Sequence, residues 1–404
     1  MSDERRVAGF KERTRVAEAR ERFLEAVVPV ERTEELRLVE ADGRVLADPV
    51  TAPRAVPHYA RAAMDGYAVR AADTVGASER SPAVLQEADA VGPNAAVPVH
   101  TGSELPDGAD AVVPVEVVGR TGSGLEVVEA VTDGENVGAV GEDVTAGADL
   151  FEAGHRLRPA DLGLLRAVGL EAVTVYDRPR VEVVPTGNEL VRSDPAPGEV
   201  VETNGLTVTQ YVERWGADAT YREVVSDDRA ALTAAIERGV EADALVLTGG
   251  SSVGERDLVP DVVDDLGDVF VHGIALRPGH PGALGSVAGT PVAMLPGYPV
   301  ACLVNAVQFL RPAIHRLRRL PTPSHRTTPA RLTRKVASEP GVRTFVRVRL
   351  EPADDERRAV PVRTGGAGVL SSVTRADGWV VVPESSEGLA AGSSVTVEDW
   401  EGRT

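Results

Sequence analysis

The chain has almost no lysine, a single cysteine and few aromatic residues. Lys11 and Lys335 are the only lysines among 43 basic residues, and the formal net charge is −19. So acidic a chain argues against nonspecific binding to nucleic acid, because its field repels the phosphate backbone. Such a composition is expected in a cytoplasm with high salt, where ions screen the repulsion between carboxylates. A codon bias towards arginine explains it equally well, and both interpretations remain open.

The lone cysteine and the scattered histidines exclude two kinds of site. Cys302 cannot form a disulfide within the chain or a cysteine-based zinc site, and its apolar neighbours predict a small buried side chain. The seven histidines show no H-x-x-x-H or H-E-x-x-H spacing. No apolar run approaches the length of about 18 residues that spans a membrane, and the first residues lack the apolar core of a signal peptide. We therefore expect a soluble, cytoplasmic protein that binds neither membrane nor nucleic acid.

Hydropathy patterns divide the chain into helical and β-rich segments. Helical spacing predicts an amphipathic helix over residues 11–28, and a second helix, or a helix followed by a short strand, over 33–46. From 52 to 147, short valine-rich runs alternate with turn residues, which predicts an all-β module. A helix at 159–168 then precedes an α/β stretch from about 180 to 320. The remaining predictions are a small β-barrel or sandwich over 330–400 and, within the α/β stretch, helices over 205–215, 228–239 and 299–317.

The most informative motif follows a buried strand predicted at residues 244–247. The chain continues as T-G-G-S-S-V-G-E-R-D over 248–257. Its glycines expose backbone N–H groups that suit a phosphate, and its two acids suit a cation or a proton transfer. The alternative is a tight turn that binds nothing. Two further predicted strands, 181–184 and 291–295, also run into glycine-containing turns, and ligands bind at the carboxyl ends of parallel strands, so we expect one shared site.

A second candidate lies in the β module at Asp65-Gly66. This dipeptide predicts a tight hairpin turn. The hairpin is either purely structural, or Asp65 projects from it as a functional carboxylate. The residues alone leave both interpretations open.

Six short motifs follow one another over nearly the whole chain. They are M-D-G-Y-A at 64–68, G-E-D at 141–143, T-G-N-E-L at 186–190, G-G-S-S-V-G-E-R-D at 249–257, R-P-G-H-P at 277–281 and L-P-G-Y-P at 295–299. In this order and spacing the chain resembles the molybdopterin molybdenumtransferases, the MoeA family that includes the gephyrin E domain. Each motif is weak by itself, but six in order make a specific match.

The resemblance implies a multidomain fold of α/β plus β class. It implies a homodimer whose site lies between the α/β domain of one subunit and the inserted β module of the other. The implied domains are a discontinuous linking domain I over 21–51 and 147–178, an inserted β domain II over 52–146, a doubly wound molybdopterin-binding α/β domain III over 7–20 and 179–324, and a C-terminal β-barrel domain IV over 328–404.

The resemblance also implies a reaction, in which molybdate or tungstate is inserted into adenylylated molybdopterin and AMP is released with Mg²⁺. Molybdopterin adenylyltransferase and molybdoenzyme apoproteins are the implied protein partners. The implied catalytic residues are Asp65, Asp143, Asp257 and Glu189, and the implied Mg²⁺ ligands are Asp227, Asp257 and Glu189. The implied substrate-binding residues are Thr186, Gly187, Asn188, Gly249, Gly250, Ser251, Ser252, Gly254, Arg277, His280, Pro296, Gly297, Arg343 and Ser371.

Several positions depart from the residues that the family usually has. Asn188 replaces an aspartate and loses a charge, which weakens a metal role there. Arg277 and His280 replace lysines; arginine keeps the charge that attracts an oxyanion, whereas a histidine with its ordinary pKa of about 6.5 is partly neutral. Near the C-terminus, the hydroxyl of the family's serine is either lost at Ala367 or supplied by Ser371.

Two other functions stay open on the sequence. The departures at Asn188, His280 and Ala367 are also what a low-turnover molybdopterin-binding carrier or scaffold would have. Molybdopterin adenylyltransferases share the glycine-rich strand end, but a lone adenylyltransferase domain needs neither the inserted module bearing Asp65 nor a C-terminal barrel. Molybdate and tungstate are nearly isosteric, so the residues do not choose between them.

Overall fold

The computed structural model describes residues 13–249, 258–353, 356–362 and 366–402. The chain divides into two compact units, one containing Thr33–Val175 and the other the residues before and after it. The first element is the amphipathic helix α1 (Val16–Glu25), inside the predicted segment. Within the described ranges, no helix combines the length and the apolar content that crossing a membrane requires. The candidate residues Gly250, Ser251, Ser252, Gly254 and Asp257 lie outside the described residues.

Short strands make up most of the unit Thr33–Val175, as the valine-rich runs predict. They are β1 (Thr33–Arg37), β2 (Val50–Thr51), β3 (Arg61–Ala62), β4 (Gly66–Val69), β5 (Ala83–Glu87), β6 (Ala95–Val99), β7 (Ala111–Pro114), β8 (Val118–Thr121), β9 (Gly124–Val127), β10 (Val137–Gly138), β11 (Asp149–Phe151) and β12 (Ala172–Tyr176). Six form one sheet in the order β7-β4-β6-β5-β9-β8. Leu85, Val113 and Leu125 are buried in its core.

The helix predicted over residues 33–46 is wrong. The chain instead forms β1, which pairs with β12, and then a single 3-10 turn at Leu38–Glu40. Leu36 and Leu38 are two residues apart, which is the strand period, and both pack into a cluster with Leu165. Leu165 belongs to α2 (Pro159–Ala167), which forms where the sequence predicts it.

The other unit contains a doubly wound α/β sheet. Its elements are β13 (Arg180–Pro185), β14 (Leu190–Val191), β15 (Val200–Val201), α3 (Asn204–Arg214), β16 (Asp218–Tyr221), α4 (Arg229–Gly239), β17 (Ala244–Thr248), α5 (Leu258–Leu266), β18 (Asp268–His272), β19 (Leu276–Arg277), β20 (Ala283–Val287), β21 (Thr290–Leu295), α6 (Pro299–Asn305) and α7 (Arg311–Leu317). Six of these strands form the α/β sheet in the order β16-β13-β17-β21-β20-β18, and the first four strands in that order are parallel. Apolar clusters cover both faces, one with α1, α3, α6 and α7 and the other with α4 and α5.

The helix predicted over 299–317 forms as α6 and α7, joined by a π-helical turn at Ala306–Leu310. Proline causes this irregularity, because Pro312 has no N–H to donate to the carbonyl of Gln308 four residues earlier. Arg20 of α1 satisfies that carbonyl instead, with its Nε donating to Gln308 O at 3.0 Å. The carbonyl that loses its helical donor thus forms a hydrogen bond to a helix far away in the sequence.

The C-terminal segment closes into a β-barrel, which decides between the barrel and the sandwich. Its elements are β22 (Arg326–Leu332), β23 (Val336–Ala337), β24 (Arg343–Glu351), β25 (Arg358–Pro361), α8 (Ser371–Thr374), β26 (Gly378–Val382), β27 (Gly388–Leu389) and β28 (Ser394–Asp399). Pairing runs β24-β25-β22-β28-β26 and back to β24, while β19 of the α/β segment adds beside β24. Trp379 is fully buried and stacks on Trp400, with ring centroids 4.5 Å apart.

Candidate active site

The carboxyl ends of three parallel strands lie side by side at one edge of the α/β sheet. Pro185 at the end of β13 is in register with Thr248 of β17, which is in register with Leu295 of β21. Beyond the strands, Thr186 N donates to Thr248 O at 2.8 Å and Gly249 N donates to Leu295 O at 3.0 Å. The three glycine-containing turns therefore begin at the same edge of the sheet.

Glycine is the only residue type that fits at position 249, at the end of β17. Its φ is +107°, and a Cβ at this position would lie 2.1 Å from Thr186 O. Pro296 is buried and Gly297 is exposed, with a Cβ built on Gly297 falling 3.6 Å from the Cα of Gly249. The buried hydroxyls of Thr186 and Thr248 have no hydrogen-bond partner among the described residues. The edge therefore combines backbone that a ligand can approach closely with polar groups that lack partners.

Asn188 and Asp227 hold two strand-end loops together. Asn188 N donates to Asp227 Oδ2 at 3.3 Å, and Asp227 N donates to Asn188 Oδ1 at 3.1 Å. Gly187 N adds a bond to Val225 O at 3.1 Å. The side-chain oxygen of Asn188 is thus used as an acceptor within the protein, which an asparagine does as well as an aspartate.

The fit of these loops to Mg²⁺ depends on two carboxylates. Asp227 is half-buried, and Glu189 is exposed with its carboxylate over Gly187, where a Cβ would lie 2.8 Å from Glu189 Oε2. Across the described ranges, no group of three or more His, Cys, Asp or Glu side chains is arranged to hold a metal. Mg²⁺ commonly takes only one or two protein carboxylates, with water and substrate phosphates as its other ligands, and Asp227 and Glu189 are carboxylates of that number.

The start of helix α6 lies next to a loop of the barrel. Val300 N donates to Ala367 O at 3.0 Å, and a Cβ built on Gly368 would lie 3.3 Å from the ring of Tyr298. Tyr298 itself is 67% exposed, so most of its side chain is accessible to solvent at the strand end. Ser371 is exposed at the start of α8. Ala367 thus contributes its carbonyl group to this edge.

Arg277 and His280 lie on one tight turn, residues 277–282 (the basic turn), beside the barrel. Because β19 pairs with β24, Arg277 is opposite Thr344, and Arg343 begins the neighbouring strand. Arg343 forms an ion pair with Glu384 at 3.1 Å. The described residues offer Arg277 no ion-pair partner. The structure therefore places Arg277 and His280 on one turn, whereas Arg343 lies on the neighbouring strand with its charge paired to Glu384.

Asn305 fastens the basic turn to helix α6, and sequence reasoning missed it. Its Nδ2 donates to Gly279 O at 3.0 Å and to Ala301 O at 2.8 Å. A Cβ at Gly279 would lie 2.2 Å from that nitrogen, so only glycine allows the approach. The one available signal was a single asparagine in an otherwise apolar helix.

The imidazole of His280 is half-buried, and its surroundings disfavour its charge. Burial lowers the pKa of His280, the cations of Arg13 and Arg277 lower it further, and Glu339 opposes them. His280 is therefore neutral near pH 7, and Arg277 carries the permanent charge of the basic turn. Arg13 is a second residue that sequence reasoning missed, because it lies near the other end of the chain.

Asp65 lies in the other unit, where its turn is rigid. Its carboxylate accepts hydrogen bonds from Thr101 N at 2.7 Å and Thr101 Oγ1 at 3.0 Å, and these bonds lower the pKa of Asp65. The side chain is 62% exposed. Gly66 is required because a Cβ there would lie 2.0 Å from Val113 O. Asp143 is exposed in the same unit. Asp65 is thus an ionised carboxylate open to solvent.

Three family models match successive parts of the chain. "MoeA N-terminal region (domain I and II)" matches residues 14–169, "Probable molybdopterin binding domain" matches residues 182–316, and "MoeA C-terminal region (domain IV)" matches residues 329–400. The chain belongs to the MoeA family. The fold class expected from the resemblance, with a doubly wound domain and a C-terminal barrel, is confirmed.

Named relatives agree with MoeA membership. The chain is 33% identical over 384 residues to molybdopterin molybdenumtransferase 2 of Mycobacterium tuberculosis, covering 90% of this chain and 94% of the relative. It is 31% identical over 385 residues to the molybdopterin molybdenumtransferase of Bacillus subtilis, covering 90% and 89%. A crystal structure of the molybdopterin biosynthesis MoeA protein of Pyrococcus horikoshii is 35% identical, with a TM-score of 0.83, and the match covers 97% of this chain and 100% of that one.

The MoeA matches bear on the two alternative functions. They extend over the β-rich unit and the barrel as well as the α/β domain, so an adenylyltransferase is not favoured. Relatives named as transferases likewise do not favour a carrier with little turnover. In this MoeA chain, moreover, Asn188 still joins the strand-end loops through Asp227.

Proposed function

We propose that this MoeA-family chain is a transferase of molybdenum cofactor biosynthesis, which inserts molybdate or tungstate into adenylylated molybdopterin and releases AMP. The observation that carries the proposal is the meeting of glycine-containing strand ends with helix α6, against which the basic turn packs. Such an edge offers unpartnered hydroxyl groups and a closely approachable backbone to phosphate oxygens, and a guanidinium group to an oxyanion. Relatives matched over about nine-tenths of the chain carry the transferase name.

The described residues divide into two groups with different tasks. The unpartnered hydroxyls of Thr186 and Thr248 would bind phosphate oxygens, and Gly249, which has no side chain, would let the phosphate approach the strand end closely. Arg277 would bind the oxyanion through its forked guanidinium group, and Arg343, whose charge is paired with Glu384, would bind substrate from the neighbouring strand. AMP leaves when an oxygen nucleophile bonds to the adenylyl phosphorus and the bond to the pterin phosphate oxygen breaks. The fixed positive charges then stabilise the charge that develops on that oxygen.

Mg²⁺ is the proposed cofactor, with Asp227 and Glu189 as its proposed ligands. When bound, the ion would neutralise charge on the phosphates of the substrate. The support is the presence of one carboxylate on each of two strand-end loops that hydrogen-bond to each other, which fits the few protein ligands that Mg²⁺ takes. Asp257, the third candidate ligand and a candidate catalytic residue, lies outside the described residues.

We also propose that the enzyme acts as a cytoplasmic homodimer. Asp65 and Asp143 of a second copy would supply carboxylates to the site, as the family resemblance implies. The exposure of Asp65 and its low pKa support this role, because both keep the carboxylate available and ionised. Molybdopterin adenylyltransferase and molybdoenzyme apoproteins are the proposed partners upstream and downstream of the reaction.

The test is AMP release by the purified full-length chain. The assay supplies adenylylated molybdopterin, Mg²⁺ and either molybdate or tungstate at low and at high salt, with a chelator as the matched control for Mg²⁺. Release that requires one oxyanion would support the transferase and identify its metal substrate. Tight binding without release would contradict the proposal in favour of a carrier, and ATP consumption with molybdopterin would favour an adenylyltransferase.

A further inference from the structure

Arg13 lies beside the basic turn although most of the α/β segment separates the two in sequence. Thr14 forms an isolated parallel β-bridge with Ile274, which lies just before β19 and this turn. Thr14 N donates to Gly273 O at 3.0 Å, and Ala275 N donates to Thr14 O at 2.8 Å. These bonds attach the segment before α1 to the turn and give Arg13 a fixed position there.

The guanidinium group of Arg13 is poorly compensated. Its Nε is buried without a hydrogen-bond partner among the described residues. Its Nη1 lies 3.8 Å from Glu339, at the outer limit of an ion pair, and the side chain is only 29% exposed. A buried charged donor without an acceptor costs free energy, which a bound anion would recover.

Positive charges gather around Arg13 in a chain whose net charge is −19. Arg13 and Arg277 both lie within electrostatic range of His280, where Glu339 is the opposing carboxylate. Arg277 has no ion-pair partner in the described part of the chain. Because like charges repel, such a group is unfavourable unless an anion binds among its members.

We propose that Arg13 binds the oxyanion together with Arg277 and His280, as a residue that determines specificity for a dianion. The inference rests on the proposed function. Its ligand class is a tetrahedral dianionic oxyanion such as molybdate or tungstate, whose four oxygens accept hydrogen bonds from several directions. Since His280 is neutral near pH 7 and the charge of Arg343 is paired with Glu384, Arg277 alone would leave a dianion with one charge unbalanced. Arg13 supplies the second permanent positive charge.

Molybdate binding to the purified full-length chain tests the proposal. Isothermal titration with sodium molybdate would compare wild type, Arg13→Gln, Arg13→Lys and the matched control Arg15→Gln, since Arg15 is an exposed neighbour on the same segment. Loss of one charge-assisted interaction should weaken molybdate about tenfold in Arg13→Gln, and about threefold in Arg13→Lys. Arg15→Gln should stay within about twofold. In the AMP-release assay, Arg13→Gln should raise the KM for molybdate with little change in kcat.

Two further measurements distinguish binding from a structural role. An NMR titration should find that the pKa of His280 rises in Arg13→Gln, because a neighbouring cation is removed. Glu339→Gln should tighten molybdate binding about threefold, because it removes the carboxylate that competes for Arg13. The rise in the pKa of His280 confirms that Arg13 lies beside it in solution. A merely structural Arg13 does not predict tighter molybdate binding in Glu339→Gln, so that variant decides the matter even if Arg13→Gln folds poorly.

The outcomes also separate this proposal from the proposed function. Unchanged molybdate affinity in Arg13→Gln, or weaker binding in Glu339→Gln, would overturn the role of Arg13 while leaving AMP release intact. Conversely, the wild-type chain could release no AMP while Arg13→Gln binds molybdate more weakly than wild type. That pair of results would support the oxyanion site at Arg13 and overturn the proposed transferase.

Discussion

Replacing Asn305 by alanine should loosen the basic turn and weaken oxyanion binding. Asn305 is 1% exposed, and its Nδ2 donates at 3.0 Å to Gly279 O and at 2.8 Å to Ala301 O. Gly282 packs on the other side of the amide, where a Cβ would lie 2.4 Å from Asn305 Oδ1. Alanine therefore removes both the donor and the surface against which the turn packs.

The magnitude follows from the groups that lose their partner. Losing the side-chain donor removes one of two hydrogen bonds to Gly279 O, since Gly282 N still donates to it at 3.1 Å, and this loss costs about 0.5–1.5 kcal/mol. The space left by the missing amide adds about 1 kcal/mol. We expect the free energy of unfolding to fall by about 1–3 kcal/mol and the melting temperature by roughly 2–6 °C. The KM for molybdate should rise about three- to tenfold, because Arg277 and His280 are carried by the loosened turn.

Thermal unfolding by circular dichroism and steady-state AMP release measure the two effects. Gln308→Ala is the matched control, since Gln308 lies on the adjoining π-helical turn, is 6% exposed, and accepts from Arg20 at 2.6 Å. We expect it to lower the melting temperature without changing the KM. An Asn305→Ala variant with wild-type KM, or equal increases in KM for both variants, would refute the reasoning.

Three further predictions test other parts of the molecule. Gly249→Ala should abolish AMP release and lower the melting temperature, because its Cβ would lie 2.1 Å from Thr186 O; wild-type turnover would argue against the strand-end site. Asp65→Ala should keep its circular dichroism spectrum but lose AMP release by at least about a hundredfold, and full activity would remove Asp65 from the site. Asp161 is buried, and its hydrogen bonds, chiefly from Arg158, lower its pKa. The ionised carboxylate therefore stabilises the fold fully above the unfolded pKa of about 3.9, and this stabilisation is lost as the pH falls below that value towards the lower pKa of the folded state. Asp161→Asn should therefore lower stability at pH 7 by about 1–2 kcal/mol and flatten the acid side of the melting curve against pH; an unchanged acid slope would count against this assignment.

Much of the fold follows from local patterns in the sequence. Apolar runs that end in glycine predict where β17 and its neighbours stop, because a glycine such as Gly249 permits a backbone that other residues cannot adopt. The prediction failed at residues 33–46, where Leu36 and Leu38 follow the strand period and the segment forms a strand that pairs with β12. The sequence shows Pro312 and therefore predicts that the carbonyl of Gln308 loses its helical donor. Only the folded structure shows that Arg20 donates to that carbonyl instead.

By itself, the sequence determined the MoeA family, the order of helices and strands, and the turns that would bear the site. Those features depend on hydropathy period and turn residues, which act over a few positions through backbone geometry. The tertiary structure alone decided that Arg13 lies by the basic turn and that Asn305 binds Gly279. Such contacts join residues far apart in the chain, and they depend on how the sheet, its helices and the barrel pack together, which no local pattern records.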